Sequence, residues 1–576
     1  MSKSTAADQA MQAFTCDLLV AGSGAGGMSA AIVAAKKGLK VIVAEKEPVF
    51  GGTTALSGGY LWVPNNPVSK DAGVEDSKEA AYDYIRHESG NHFDAERANA
   101  FLDAGPAMID FMEKNTHVHF EASPAFSDYH PDAPGGLPGG RSILTKPVKA
   151  SLLGKDIEKL RPPRQELTLF GLAIGSGKEL WHFYRAFQSP VSFSYVTRRL
   201  TKFGIDKALT GRSQLLTNGN ALAARLYRSA LDLGVQVMLD SPVKELLRDD
   251  SGAVTGAVVL TPQGLRRVKA SKGVVLACGG FPHDIARRKL LYKHAASEGE
   301  HVSAASPGNT GDGLTLAESI GAATQMDYPN AGAWAPTSLV PRADGTKGPF
   351  PHFIDRGKPG VIAVTRIGRR FVNEANSYHD FVQGLEKATP KGQAAEGFLI
   401  CDHRTIRKYG LGHVKPAPLP LRSELKSGYL IKGETIDELA RNVGIDRTAF
   451  AETIARFNKD VPTGTDTEFG RGNTAYNRFH GDPRVKPNPC LAPIEKGPFY
   501  AVRVIPGSIG TFSGIKTDRH ARVLDQGGKV IRGLYAAGND MSSVLGGNYS
   551  GGGITLGPGM TFGYVAGLHA AGAAAN

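Results

Sequence analysis

The stretch from Cys16 to Glu47, CDLLVAGSGAGGMSAAIVAAKKGLKVIVAEKE, decides the fold. Asp17 to Ala21 is a short apolar run, the pattern of a buried strand. Gly22, Gly24 and Gly27 follow as G-x-G-x-x-G. The run from Met28 predicts a helix ending at Gly38, and KVIVAEK predicts a second buried strand with Glu45 at its end. Each glycine has its own task. Gly22 makes a tight turn, Gly24 lets the backbone approach a pyrophosphate, and Gly27 lets the helix pack on the strand. The helix N-terminus then faces the phosphates, and Glu45 stands at the spacing of an acid that binds a ribose. A lone G-x-G-x-x-G is weak, but strand, glycines, helix, strand and acid in this order specify a nucleotide site. Ala25, Gly26 and Lys46 complete this first set of candidate cofactor residues.

Just downstream, PVFGGTTALSGGYLW carries two more glycine pairs, Gly51–Gly52 and Gly58–Gly59, with Thr53, Thr54 and Ser57 between them as small hydroxyl donors. A nicotinamide cofactor needs no second cradle. FAD does, because its pyrophosphate and its flavin both require close backbone approach, so FAD is expected. No histidine stands beside Thr53–Ser57 to attach a flavin covalently, and the FAD is expected to be non-covalent. Later segments extend the same domain. KGVVLACGGF reads as a buried strand followed by Gly279 and Gly280; GLYAAGND repeats the form with Gly538, Asn539 and Asp540, the last suited to a ribityl hydroxyl or the pyrophosphate. In GVQVMLDSPVKELLRD the Val243 backbone is a candidate adenine neighbour.

The expected architecture is α/β: a Rossmann-like FAD-binding domain of glutathione-reductase type, with an inserted α+β catalytic domain. The FAD-binding domain is expected over 1–285 and 495–576, and the catalytic domain over 286–494. The 576 residues leave room for this, and 41% hydrophobic content fits a sizeable core. The 71 glycines cluster in loops at strand–helix junctions.

The net charge of +12 is uneven: Lys146 to Arg212 holds thirteen Lys/Arg against five Asp/Glu. No nucleic-acid-binding motif is visible, so nucleic acid is not an expected partner. Within an insertion over about 145–212, Trp181, Tyr184 and Tyr195 mix with Lys178, Arg185, Arg198, Arg199 and Lys202. This reads either as a surface for an anionic membrane or as a packed helical excursion. Cys16, Cys278, Cys401 and Cys490 form no CxxC pair, so neither a metal site nor a disulfide is expected. The N-terminus lacks a basic segment followed by an apolar core, and no apolar run reaches about twenty residues. A cytoplasmic protein is expected, with peripheral contact at the membrane's inner face as the variant the insertion suggests.

Together these segments resemble the fumarate reductase/ketosteroid dehydrogenase class of flavoproteins, and within it the 3-ketosteroid Δ1-dehydrogenases along most of the chain. Three tyrosine contexts carry the closer likeness. Tyr129 in FSDYHPDAPGG matches that family's D-Y-x-P segment, and Tyr378 in GRRFVNEANSYHDF follows the R-F-x-N-E stretch. Tyr549 and Gly553 in NYSGGGI keep the spacing of the family's Y-P-G-P-G, although Ser550 replaces its proline. The resemblance implies that Tyr378 and Tyr129 handle a proton, while Tyr549 and the Gly553 N–H hold a ketone oxygen; Ile554 is carried over as a cofactor neighbour. It implies C1–C2 desaturation of a 3-ketosteroid, with hydride transfer to the flavin and an external acceptor, a quinone or similar. A Δ4-(5α)-ketosteroid or a cyclohexanone-type ketone is the alternative substrate. A fumarate-type reductase is disfavoured, because no His or Arg lies between Gly546 and Met560 to clamp a dicarboxylate.

Overall fold

The computed structural model describes residues 13–295 and 299–573; the first twelve residues, part of the stretch read above for a leader, lie outside them. The opening stretch forms strand β1 (Ala13–Ala21), helix α1 (Ala25–Lys36) and strand β2 (Val41–Ala44). β1 and β2 run parallel with Leu18 opposite Val41 and Ala21 opposite Ala44, so Gly22 and Glu45 emerge at the same sheet edge. Gly22 has φ +107°, and a Cβ there would overlap the Ala277 carbonyl, so only glycine fits the turn.

The sheet continues on both sides. Gln236–Met238 pairs parallel with β2, and Gly264–Leu276 pairs parallel with β1. Val530–Ala536 then pairs parallel with the end of Gly264–Leu276, joining residues far apart in sequence. An antiparallel ribbon, Val243–Arg248 with Val254–Thr261, lies on the first half of Gly264–Leu276. The GVQVMLDSPVKELLRD stretch thus holds two strands, Gln236–Met238 and Val243–Arg248, with Val243 opening the second.

The terminal helix Leu556–Ala570 crosses α1 at close range. Its small residues permit this: a Cβ at Gly563 would overlap Gly26 O, and one at Gly567 would crowd Ala30 O. Ser29 Oγ donates to Met560 O at 2.7 Å across the same seam.

A second, antiparallel sheet has the order Val361–Val364, Gly397–Asp402, Phe499–Val504, Ile431–Gly433. Alternate side chains feed two cores. Val361, Ala363, Leu399 and Cys401 enter one, and Ile362, Val364, Phe398 and Ile400 the other. Phe499–Val504 belongs to this sheet, so the chain leaves it after Val504 rather than at residue 494.

The basic insertion is ordered. Its helices Lys178–Tyr184 and Pro190–Thr210 are joined by a buried Arg199–Glu179 pair at 2.8 Å. Ser192, Val196, Arg199 and Phe203 form the inward stripe at helical spacing. The outward face carries exposed Val191 (72%), Phe193, Ile205 and Leu209 (79%), with Phe187 and Phe170 (each 68%) beside it.

Candidate active site

One continuous cavity begins at the first glycine loop and ends at the tyrosines. Gly22, Gly24, Ala25, Gly26, Glu45 and Lys46 line its first part, followed by Gly52, Thr53, Thr54, Ser57, Gly58 and Gly59. Val243, Gly279, Gly538 and Asn539 complete that part, and Tyr129, Tyr378, Tyr549 and Gly553 line the far part. Gly27, Gly51, Gly280, Asp540 and Ile554 stand behind the wall. A Cβ on Gly27 would overlap Gly22 O, which is the expected helix–strand packing.

Several candidates support the cradle rather than offering free polar groups to it. Glu45 accepts from the Ser23 N–H at 3.0 Å, the Ser23 hydroxyl at 2.5 Å and the Glu47 N–H at 3.0 Å, bracing the glycine loop. Thr54 Oγ1 accepts from Ala25 N at 2.9 Å, and Thr53 Oγ1 accepts from Ser306 N and Asn309 Nδ2, both at 2.9 Å. Lys46 is paired with Asp312 at 2.7 Å. Asp540 corrects the expectation of a cofactor contact. It is fully buried, accepts from Cys278 N at 2.6 Å and Gly280 N at 2.9 Å, and so clamps the strand–turn. Burial pushes its carboxyl up to about 6. The residues present still fit FAD: Gly52 and Gly538 line the cavity with no protein atom near the place a Cβ would take, and the start of α1 faces it, an arrangement that suits a long nucleotide.

Three loops bring the phenols together. Tyr129 follows Asp128, which accepts from Trp62 Nε1 at 2.8 Å and pairs with Arg141 at 2.8 Å. Tyr378 opens the helix Tyr378–Ala388, capped by Ser377 Oγ accepting from Asp380 N. Its approach loop is held by Glu374, wholly buried between Arg370 at 2.8 Å and Arg471 at 3.0 Å. Tyr129 donates to the Tyr378 hydroxyl at 2.9 Å. Tyr549 stacks on Tyr129 with ring centres 5.6 Å apart and meets Tyr378 edge-on at 4.9 Å.

The glycines around Tyr549 also find their reason. A Cβ on Gly551 would overlap Trp62, one on Gly552 would overlap Phe126, and Gly553, at φ +100°, lies against Tyr60 O. The Gly553 N–H has no partner among the described residues. Ser550, where the resemblance has proline, is buried, and its carbonyl accepts from Tyr84 OH at 2.7 Å and Tyr129 N at 2.9 Å. These two bonds fix the loop without a proline.

Burial dominates the electrostatics. It holds the Tyr378 and Tyr129 phenols well above their usual range and pushes Tyr549 up to about 12. The Arg356 guanidinium acts to lower the Tyr129 phenol, but more weakly than burial raises it. His130 lies between Glu88 at 2.9 Å and Asp380 at 3.0 Å; against the cost of burial, Asp380 and Glu88 raise it to about 11.

Sequence reading missed Tyr476, whose ring lies 4.6 Å from Tyr129, and Phe353, 5.0 Å from Tyr378. It also missed Arg164 and Asn309 on the cofactor wall. None sits in a motif; only the fold gathers them. The insertion, read either as a membrane surface or as a packed helical excursion, places Leu180, Trp181, Tyr184 and Arg185 on the cavity wall.

The family described as "FAD binding domain" matches residues 17–556. The chain is 42% identical over 552 residues to a 4-oxocyclohex-2-ene-1-carboxylate 5-dehydrogenase of Sinomonas cyclohexanicum, covering 96% of this chain and 93% of that protein. It is 38% identical to a 3-oxosteroid 1-dehydrogenase of Mycobacterium tuberculosis, covering 96% and 98%. The 3-ketosteroid Δ1-dehydrogenase of Sterolibacterium denitrificans, solved with 1,4-androstadiene-3,17-dione, superposes with a TM-score of 0.89 at 34% identity, covering 97% and 99%. With this cavity, this fold and these relatives, the chain belongs to the FAD-binding flavoenzyme family of the 3-ketosteroid Δ1-dehydrogenases.

Proposed function

We propose that this protein is an FAD-dependent dehydrogenase that introduces a double bond beside the carbonyl of a cyclic ketone, the C1–C2 bond of a 3-ketosteroid or the equivalent bond of a cyclohexanone-type ring. The observation that carries this is the meeting of three buried phenols and the Gly553 N–H at one end of the cofactor cavity. Relatives at 42% and 38% identity are named for a monocyclic oxo-acid and for 3-oxosteroids, and a ring ketone is what those names share.

Desaturation removes a proton from the α carbon and a hydride from the β carbon. FAD, when bound, supplies the hydride acceptor. The protein handles the rest. Tyr549 O–H and Gly553 N–H donate to the ketone oxygen and stabilise the charge that develops on it as the α proton leaves. Tyr378 takes that proton, and its hydrogen bond to Tyr129 gives the proton an onward path. The apolar surroundings keep water from the reacting carbons. The FAD is held without a covalent bond, and acid precipitation should leave all the flavin in the supernatant. Electrons leave to a small external acceptor of the quinone class.

The exposed apolar face of the insertion, flanked by Arg198, Lys202 and Lys207, docks on an anionic bilayer. No helix among the described residues is long and apolar enough to cross a membrane, so contact of this kind is peripheral. Phe187→Glu with Leu209→Glu should abolish co-sedimentation with phosphatidylserine vesicles; unchanged sedimentation would make the face a contact of another kind.

The function is tested by product analysis with purified holoenzyme, an artificial acceptor and a saturated ring ketone. The product should gain conjugated enone absorbance and lose two mass units. Recovery of unchanged ketone from steroid and monocyclic substrates alike would refute the reading.

A further inference from the structure

Lys358 is a buried ammonium on the wall of the same cavity, and the chemistry above does not use it. The residue is 5% exposed. Its Nζ donates to His480 O at 2.8 Å and Gly481 O at 3.2 Å. It lies 5.0 Å from the centre of the Tyr184 ring and 5.9 Å from that of Trp181. No carboxylate among the described residues is paired with it.

The nearby acids are committed elsewhere. Asp482 pairs with Arg484 at 2.7 Å and Lys408 at 3.1 Å and accepts from Tyr409 OH. Asp355 holds His352 at 2.7 Å and accepts from Gly412 N. An ammonium buried without a counter-charge is costly, and burial lowers its pKa to about 8. An anion entering the cavity would relieve that cost.

The cation also stands at a distinct end of the ketone site. The His480 ring lies 4.6 Å from Tyr476, and Tyr476 lies 4.6 Å from Tyr129. A ring whose carbonyl faces Tyr549 and Gly553 therefore has Tyr129 and Tyr476 beside it and a cation elsewhere on the wall of the same cavity. From this juxtaposition we propose that Lys358 binds a carboxylate carried by the substrate, so that the preferred substrates are cyclic oxo-acids rather than neutral ketones. This rests on the ketone-dehydrogenase reading. A carboxylate on a single ring and one on a steroid side chain share this recognition chemistry.

The test compares each acid with its methyl ester on wild-type holoenzyme: 4-oxocyclohexanecarboxylate as one pair, and a 3-ketosteroid bearing a side-chain carboxylate as the other. In at least one pair kcat/KM for the acid should exceed that for the ester about 10- to 100-fold, the value of a charge-assisted hydrogen bond. The pair that shows the preference identifies the source. Lys358→Met should erase the preference, and Lys358→Arg should restore part of it. Equal turnover of acid and ester in both pairs overturns the proposal, as does a preference that survives in Lys358→Met. Should that variant not fold, binding of cyclohexanecarboxylate against cyclohexanecarboxamide to wild-type holoenzyme, read from the flavin spectrum, decides. The carboxylate should bind at least about tenfold more tightly, and equal binding refutes the site. If no ketone yields an enone but the carboxylate still binds preferentially, the dehydrogenase reading fails while the Lys358 site stands.

Discussion

At the scale of single residues, the account assigns separate tasks to phenols that look alike in sequence. In the proposed mechanism Tyr378 receives the proton and Tyr549 faces the oxygen, so each substitution has its own expected cost. Tyr378→Phe should cut kcat by about 10²- to 10⁴-fold, the range for losing a general base, with FAD still bound at full occupancy. Tyr549→Phe should cost about 10²- to 10³-fold, as for the loss of one oxyanion donor. Steady-state kinetics with flavin quantitation separates these from a loss of cofactor. Because burial holds the Tyr378 phenol well above its ordinary value, the reactive phenolate form grows as pH rises. The rate of the oxidative half-reaction should therefore climb toward alkaline pH, and stopped-flow traces that are flat from pH 6 to 10 would argue against a phenolate base.

At the scale of elements, the site is only as well placed as the loops that deliver it. The Tyr378 loop depends on Glu374, which accepts from Ala363 N at 3.1 Å and neutralises Arg370 and Arg471, all out of contact with water. Removing that carboxylate leaves the buried Arg471 guanidinium without a carboxylate partner among the described residues, while Arg370 keeps its pair with Asp466 at 2.8 Å. Glu374→Ala should lower stability by about 3–5 kcal/mol, measured by denaturant unfolding of the holoenzyme. The sequence made the glycine loop, α1 and the parallel strands legible, because each is a local pattern of period and turn chemistry. It made Tyr129, Tyr378 and Tyr549 legible through their motifs. It could not show that Asp540 clamps the distant Cys278–Gly280 turn, or that Glu45 braces Ser23. Both are choices between near-equivalent partners that only the three-dimensional packing makes. Nor could it show that Tyr476, from an unremarked stretch, completes the aromatic wall.

At the scale of the whole molecule, the parallel sheet, the loops and helices around the second sheet, and the insertion line one cavity that runs from the nucleotide cradle to the three phenols. The parallel sheet is assembled from both ends of the chain, and its closing helix carries the Tyr549 loop at its entrance. The second sheet's domain supplies Tyr378, Tyr476 and Lys358, and the insertion supplies Trp181 and Tyr184. Three parts of the chain thus line one cavity, where the proposed function has cofactor and substrate meet. Anaerobic titration of the purified yellow holoenzyme with a saturated ring ketone tests it most directly. The account predicts loss of the flavin's visible absorbance with one enone formed per flavin bleached, and bleaching slowed about 10²- to 10⁴-fold in Tyr378→Phe. Wild-type flavin that stays oxidised with every ring ketone, acid or neutral, would contradict it.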